Sequence, residues 1–330
     1  MKLTAKIRGT GTYLPERILS NADLEKMVET TDEWIVSRTG MKERRIARPD
    51  EFASHMGAAA AQEALRDAGI HSEDVDFILV ATLTPDYLFP STACLIQQMI
   101  GAKKAASLDI QAACTGYLYA LSLAKAFVEA RTYKNVLVVA AEKLSSITNY
   151  KDRSTCVLFG DGASACVVSS EGPGLAIQSI QLGSDGEQAE LLILPAGGCR
   201  LPASAETVSN DQHYIKMAGN EVFKHAVRRM ESACKECLEI AQVEELEVSW
   251  VVPHQANIRI IDAIAKRFKH LPSERIFKTV QKYGNTSSSS IGIALHELRK
   301  EQNLGCGERI LLTAFGAGFT WGAALLEVEP

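Results

Sequence analysis

Cys114 is the residue with the plainest chemical option in this chain. It stands in "SLDIQAACTGYLYALSLA", between a strand-like run ending near Ile110 and a long apolar helix-like run. A thiol placed just before a helix faces unpaired backbone N–H groups and the positive end of the helix dipole, both of which favour the thiolate. The competing reading is packing, because cysteine is among the most buried residue types. Two further polar groups occupy comparable junctions. His254, in "VVPHQANIRI", follows an apolar strand, and loops at strand ends carry function in α/β folds. Asn285, in "KYGNTSSSSIGIAL", lies in a turn before another helix. Taken singly, the histidine reads as structural and the asparagine as a helix cap. A fourth element is "LLTAFGAGFTWGAALLEV", where Gly316, Gly318 and Gly322 let the backbone come close to a ligand and present N–H groups to a developing oxyanion. Its spacing does not fit GxGxxG, and neither does "FGDGASACVV", which argues against a dinucleotide site.

The elements that carry these residues occur twice. "SHMGAAAAQEALRDAGI" has a helical pattern and leads through an acidic turn to the strand "VDFILVATL". "NEVFKHAVRRMESACKECLEIA" does the same and leads to "EVSWVVPHQ". Strand, turn and helix then follow in "SLDIQAACTGYLYALSLAKAFVEA" and again in "FKTVQKYGNTSSSSIGIALHELRK", each succeeded by a strand, "NVLVVAAE" and "ERILLTAFG". Corresponding strands lie roughly 172 residues apart, and a constant offset marks an internal repeat. Apolar β-branched runs alternating with amphipathic helices predict an α/β fold of mixed sheets covered by helices. The expected halves are residues 1–172 and 173–330, joined through the turn chemistry of "SSEGPGLA". Under the repeat, the Cys114 and Asn285 junctions are equivalent and His254 ends the neighbouring strand. The three groups are therefore expected to converge where the halves meet.

Bulk composition narrows the function classes. The chain has 330 residues, 46% hydrophobic and 23% charged, ample for a large core. The net charge of −5 disfavours nucleic acid as a partner. No apolar run is long enough to cross a bilayer, and "MKLTAKIRGTGTYLPERILS" lacks a signal-peptide core, so the expectation is a cytoplasmic protein without membrane insertion. Eight cysteines scattered along such a chain read as reduced thiols. Cys234 and Cys237 form a lone CxxC without a second ligand pair, and read as two thiols on a helix.

Several long motifs, in order, carry a resemblance. "DIQAACTGYLYAL", "VPHQANIRI", "YGNTSSSSIGIAL" and "AFGAGFTWG" together resemble the thiolase-fold condensing enzymes, and most closely the β-ketoacyl-acyl carrier protein synthase III family. "TTDEWIVSRTGMKERRIA" and "KDRSTCVLFGDGASA" are similar to that family too, so the likeness spans nearly the whole chain. It implies a thiolase-like duplicated fold in αβαβα layers. Departures are small: the family often has glycine at Ser164 and at Ala317.

The resemblance implies a decarboxylative condensation of a short acyl-CoA primer, with acetyl-CoA expected, and malonyl-acyl carrier protein, which starts fatty-acid synthesis. Cys114 would be the nucleophile, and the backbone N–H groups of Cys114 and Ala317 the oxyanion hole. His254 and Asn285 would stabilise the enolate left by loss of CO2. Trp34 and Arg153 would sandwich the adenine of CoA, Thr30 and Arg38 would meet its nucleotide end, and Asn257 and Gly219 its pantetheine arm. Phe89 would close the acyl pocket of a neighbouring subunit, which implies a homodimer. Lys224, Arg228, Arg259, Lys266 and Arg267 form a basic patch suited to docking an acidic acyl carrier protein. No metal or redox cofactor is expected. A degradative thiolase is disfavoured because the late glycine-rich loop holds no second cysteine. The alternatives are a related condensing or acyl-transfer enzyme of quinolone or polyketide priming, and a non-catalytic scaffold.

Overall fold

The computed structural model describes residues 3–330. The apolar runs become nine strands of one sheet: β1 (Lys6–Tyr13), β2 (Phe77–Ala81), β3 (Ala106–Ile110), β4 (Val136–Glu142), β5 (Gly162–Ser169), β6 (Gly174–Ser184), β7 (Trp250–Pro253), β8 (Arg309–Gly316) and β9 (Thr320–Glu329). The helices that cover them and frame the site are α1 (Asp32–Thr39), α2 (Ala53–Ala68), α3 (Thr92–Ile100), α4 (Gly116–Glu129), α5 (Gly219–Ala241), α6 (Ile258–Ala265) and α7 (Ser289–Glu301). The helix expected in "SHMGAAAAQEALRDAGI" stops at Ala68 because Gly69 turns left-handed, with φ of 65°.

The strand order is β7-β8-β9-β6-β1-β5-β4-β2-β3. The two wings of the sheet are joined by a short seam, in which β1 meets β6 over only Lys6↔Ala176 and Ile7↔Leu175. Side-chain alternation then builds the layers. Val136, Val138 and Ala140 of β4 share a core with Leu118 and Leu121 of α4 and Ile291 and Leu295 of α7. Ile310, Leu312 and Ala314 of β8 enter that same core from the other wing. The intervening residues Leu137, Val139 and Ala141 point outward to α2 and α3, and Leu311 points outward to α5 and α6. Two central helices thus lie between two wings, each wing covered outside by further helices, in the order αβαβα.

One expected strand is missing. The second wing has no full counterpart to β3, although "FKTVQKYGNTSSSSIGIALHELRK" was expected to begin with one. Ile276 forms a single parallel bridge to Val251, and Phe277 donates its N–H to the Val251 carbonyl at 2.9 Å. The ladder ends there because the Gln255 side-chain oxygen takes the next N–H groups, from Thr279 at 2.8 Å and Val280 at 3.1 Å. Ser164 is accommodated by the residue opposite it. A Cβ on Gly292 would lie only 2.2 Å from the Ser164 Oγ, so the hydroxyl occupies space that a larger partner would need.

Candidate active site

A cavity of about 340 Å³ runs inward from α1, α5 and α6 to the junction of the two wings. Its exposed end carries Trp34, Arg38 and Arg259, and its buried end carries Cys114, His254 and Asn285. The duplicated halves therefore bring the sulfur, the imidazole and the carboxamide together in one pocket.

Cys114 sits in a single 3-10 turn, Ala113–Thr115, between β3 and α4. The turn is entered through Ala113 at φ 45°, a left-handed conformation that disfavours a residue with a Cβ by about 1–2 kcal/mol. It is held by the Thr115 hydroxyl, which donates to the Ala112 carbonyl at 2.6 Å and reaches the Thr320 hydroxyl at 2.8 Å. Gly316 presses against it from β8: a Cβ there would stand 2.7 Å from the Cys114 nitrogen. Only glycine permits that approach. Among the described residues neither Cys114 nor Ala317 gives its N–H to another backbone carbonyl outside the regular elements.

The acidity of Cys114 reverses the sequence expectation. Burial pushes the thiol up to about 12, opposed by the Ser287 hydroxyl and reinforced by the charge of Glu142. A helix N-terminus contributes at most about 2 kcal/mol in a partly buried setting, and burial shifts this thiol further than that in the opposite direction. Desolvation wins, and the resting group is a thiol.

His254 follows β7 and is 2% exposed. Its N–H donates to the Thr313 carbonyl at 2.7 Å, and its Nδ1 lies 2.5 Å from the Ser290 hydroxyl. Ser290 Oγ also accepts the Gln255 N–H at 3.4 Å, and its own hydrogen has the imidazole as acceptor. That network assigns Nδ1 as acceptor and leaves the ring proton on Nε2. Burial lowers the His254 pKa to about 3, so the ring is neutral. Gln255 locks the loop with its amide, which donates to the Pro253 carbonyl at 2.6 Å.

Asn285 is 7% exposed and lies in the turn that leads to α7. Its backbone is pinned to the first half, since its N–H donates to the Leu158 carbonyl at 2.8 Å and its own carbonyl accepts from Gly160 at 3.0 Å. Its side-chain oxygen accepts the Ser287 N–H at 2.8 Å. A backbone N–H can only donate, so the atom it meets is oxygen and the NH2 group remains as a donor. Ser287, like Ala113, is left-handed, with φ of 50°. Each central helix is thus entered through a strained residue beside a functional side chain.

The other sequence-selected residues divide into two sets. Trp34, Arg38, Gly219 and Asn257 line the cavity with the three buried groups. Asn257 caps α6 by accepting the Arg259 N–H at 2.8 Å. Arg153 lies just outside, its guanidinium 5.0 Å from the Trp34 ring, and donates to the Glu29 carbonyl at 2.9 Å. The Thr30 hydroxyl is buried and has no hydrogen-bond partner among the described residues. Phe89 is 86% exposed and does not line this cavity. Of the basic set, Arg259 lies over the Phe223 ring at 5.3 Å. Lys224 pairs with Glu221 at 2.8 Å and Arg267 with Glu231 at 3.0 Å. Helix α6 ends at Ala265, so Lys266 is its cap and Arg267 lies beyond it.

Family models agree with this architecture. The model described as 3-oxoacyl-[acyl-carrier-protein] synthase III matches residues 108–186, and that of its C-terminal part matches residues 238–328. A β-ketoacyl-[acyl-carrier-protein] synthase III of Chlamydia muridarum is 58% identical over 326 residues, covering 98% of this chain and 99% of the relative. The chain belongs to the 3-oxoacyl-[acyl-carrier-protein] synthase III family. A relative of the same name from Caldanaerobacter subterraneus is 51% identical, covering 99% of this chain and 98% of its own. The solved 3-oxoacyl-[acyl-carrier-protein] synthase III of Aquifex aeolicus superposes with a TM-score of 0.90 at 50% identity, covering 98% of this chain and 99% of that one. The thiolase-like fold expected from the motifs is therefore the fold of this synthase III chain.

Sequence reading missed the residues that orient the site. Ser287, Ser290 and Glu142 carry no motif of their own; the run "TSSSSIG" hints at a hydroxyl-rich turn without saying which hydroxyl faces what. All eight cysteines are free, and Cys234 and Cys237 are buried on α5. Among the described residues no group of three or more His, Cys, Asp or Glu is placed to hold a metal ion, and no helix is long and apolar enough to cross a membrane.

Proposed function

We propose that this chain condenses a short acyl-CoA, with acetyl-CoA as primer, with malonyl-acyl carrier protein to give 3-ketoacyl-acyl carrier protein, CO2 and CoA. The observation that carries the reading is the meeting of Cys114, His254 and Asn285 at the closed end of one cavity, in a chain 58% identical to a β-ketoacyl synthase III. The Cys114 sulfur attacks the acyl-CoA carbonyl, and the tetrahedral oxyanion is held by the N–H groups of Cys114 and Ala317. The C–S bond to CoA then breaks, and CoA leaves with the thiol proton. In the malonyl thioester the bond to the carboxylate breaks, CO2 departs and the electron pair moves onto the thioester oxygen. The Nε2–H of His254 and the amide of Asn285 are donors suited to that enolate oxygen. The enolate carbon attacks the acyl-Cys114 carbonyl, and Cys114 leaves as thiolate and regains a proton. Each such donor contributes about 3 kcal/mol to lowering a barrier. No step calls for a metal or redox cofactor.

CoA is read as lying along the cavity, its pantetheine arm beside Asn257 and Gly219 and its nucleotide end near Thr30, Trp34, Arg38 and Arg153. Stacking needs about 3.5–4 Å on each face of an adenine. Arg153 already stands 5.0 Å above Trp34, so it has to swing aside to admit one. Lys224, Arg228, Arg259, Lys266 and Arg267 are the docking patch for an acidic carrier. A homodimer is supported by the unpaired outer edge of β3 and by Tyr87, Leu88 and Phe89, which are 61%, 86% and 86% exposed. In that arrangement Phe89 closes the partner's acyl pocket. We read residues 1–172 and 173–330 as the duplicated halves and the enzyme as cytoplasmic.

Mass spectrometry of the intact protein after mixing with acetyl-CoA is the test. An acetyl group on Cys114, discharged as 3-ketoacyl product when malonyl-carrier is added, is expected. A folded protein that gains no acetyl group overturns the reading in favour of a scaffold.

A further inference from the structure

Glu142 ends β4 and is fully buried, yet the chemistry above does not use it. A carboxyl group in such a place needs partners for both oxygens. Its Oε2 accepts the Leu83 N–H at 3.1 Å and the Thr84 hydroxyl at 3.0 Å, with the Thr82 hydroxyl at 3.4 Å. Its Oε1 lies 2.6 Å from the Ser288 hydroxyl, which also reaches the Ala81 carbonyl at 3.3 Å. None of these partners is a cation, and burial raises the carboxyl's pKa above the ordinary range. The Ser288 hydroxyl donates to Oε1, and Oε2 accepts from Leu83, Thr84 and Thr82, so both carboxyl oxygens are partnered.

Ala81 to Thr84 and Glu142 belong to the first wing, whereas Ser288 belongs to the turn of the second. Ser288 directly follows left-handed Ser287, whose N–H holds the Asn285 oxygen. The Glu142–Ser288 bond therefore braces a strained turn from across the pseudo-symmetric junction, one residue from the group that aims the carboxamide. The backbone of Cys114 is held separately, through Thr115, Thr320 and Gly316, although the Ser287 hydroxyl reaches its sulfur.

We propose that Glu142 is a positioning residue for decarboxylation, acting through Ser288 to hold the 285–288 turn so that the Asn285 amide meets the enolate oxygen. The proposal rests on the condensing function proposed above.

The test separates the two half-reactions in the full-length protein. Acetylation of Cys114 by acetyl-CoA is followed by mass spectrometry, and condensation by product formed from malonyl-carrier. Ser288→Ala removes the brace, and a misplaced group of this kind costs about 10²-fold. That loss is expected in the condensation kcat, while the KM for malonyl-carrier and the acetylation rate stay near wild type. Glu142→Gln keeps the shape, one acceptor and a donor, so it is expected to retain both half-reactions. Equal loss of both in Ser288→Ala, no loss in either, or a Glu142→Gln variant as impaired in condensation as Ser288→Ala overturns the proposal. Melting curves accompany each variant, and Ser288→Thr, which keeps the hydroxyl, restores condensation if Ser288→Ala proves unstable; its failure to do so also counts against the brace. Wild-type protein that is never acetylated refutes the condensing function itself, a result distinguishable because it needs no variant.

Discussion

A methyl group at position 316 probes the site where it has least room. The Cβ of Gly316→Ala would stand 2.7 Å from the Cys114 nitrogen and 3.2 Å from its Cα and Cβ, whereas ordinary contact begins at 3.4 Å. The nearest obstacles are backbone atoms, so no side chain can rotate away. Strand β8 and the 3-10 turn must separate by about 0.7 Å, the difference between those two distances. That shift acts on Cys114 and on both N–H groups proposed for the oxyanion. Overpacking of this size costs about 1–3 kcal/mol of stability. Displacement approaching 1 Å at a reacting centre lowers a rate by about 10²-fold. The assay is the single-turnover rate of Cys114 acetylation by acetyl-CoA, read beside a thermal melt. Acetylation is expected to fall by that factor while most of the protein remains folded. An acetylation rate and melting temperature equal to wild type would refute the inference that Gly316 is pressed against the Cys114 backbone.

Replacing His254 or Asn285 by Ala is expected to spare Cys114 acetylation and to lower condensation by about 10²–10³-fold each; equal loss of both half-reactions contradicts the division of labour. His254 has a folded pKa near 3, below its ordinary 6.5, so the unfolded chain binds the extra proton first and stability declines as pH falls through about 6.5 towards 3. NMR is expected to show no His254 titration near neutrality, and a resonance titrating at 6.5 would overturn the assignment of a neutral ring. Arg259→Glu is expected to weaken apparent affinity for malonyl-carrier in a salt-dependent way; unchanged affinity means the patch is not the dock. Phe89→Ala is expected to raise the rate with longer acyl-CoA primers relative to acetyl-CoA, and an unaltered primer profile refutes its place in the partner's pocket.

Periodicity and repetition are local properties of a chain, so the sequence alone determined the α/β layering, the doubled strand–helix order and the three junctions that hold Cys114, His254 and Asn285. Glycine at 316 was legible from its local spacing, whereas Trp34 and Asn257 were singled out only through the resemblance of the motifs around them. Tertiary structure decided what each group experiences. The helix end that suggested a thiolate is a local influence, and desolvation by both wings overrides it. A strand expected after Phe277 is lost to side-chain competition from Gln255, a contact across 24 residues. The proton on His254 is assigned by Ser290, 36 residues away, and the turn at Asn285 is braced by Glu142, 146 residues from Ser288. Such partners have no spacing rule in one dimension, because they meet only in the folded chain, within the second half for Gln255 and His254 and across the two halves for Glu142.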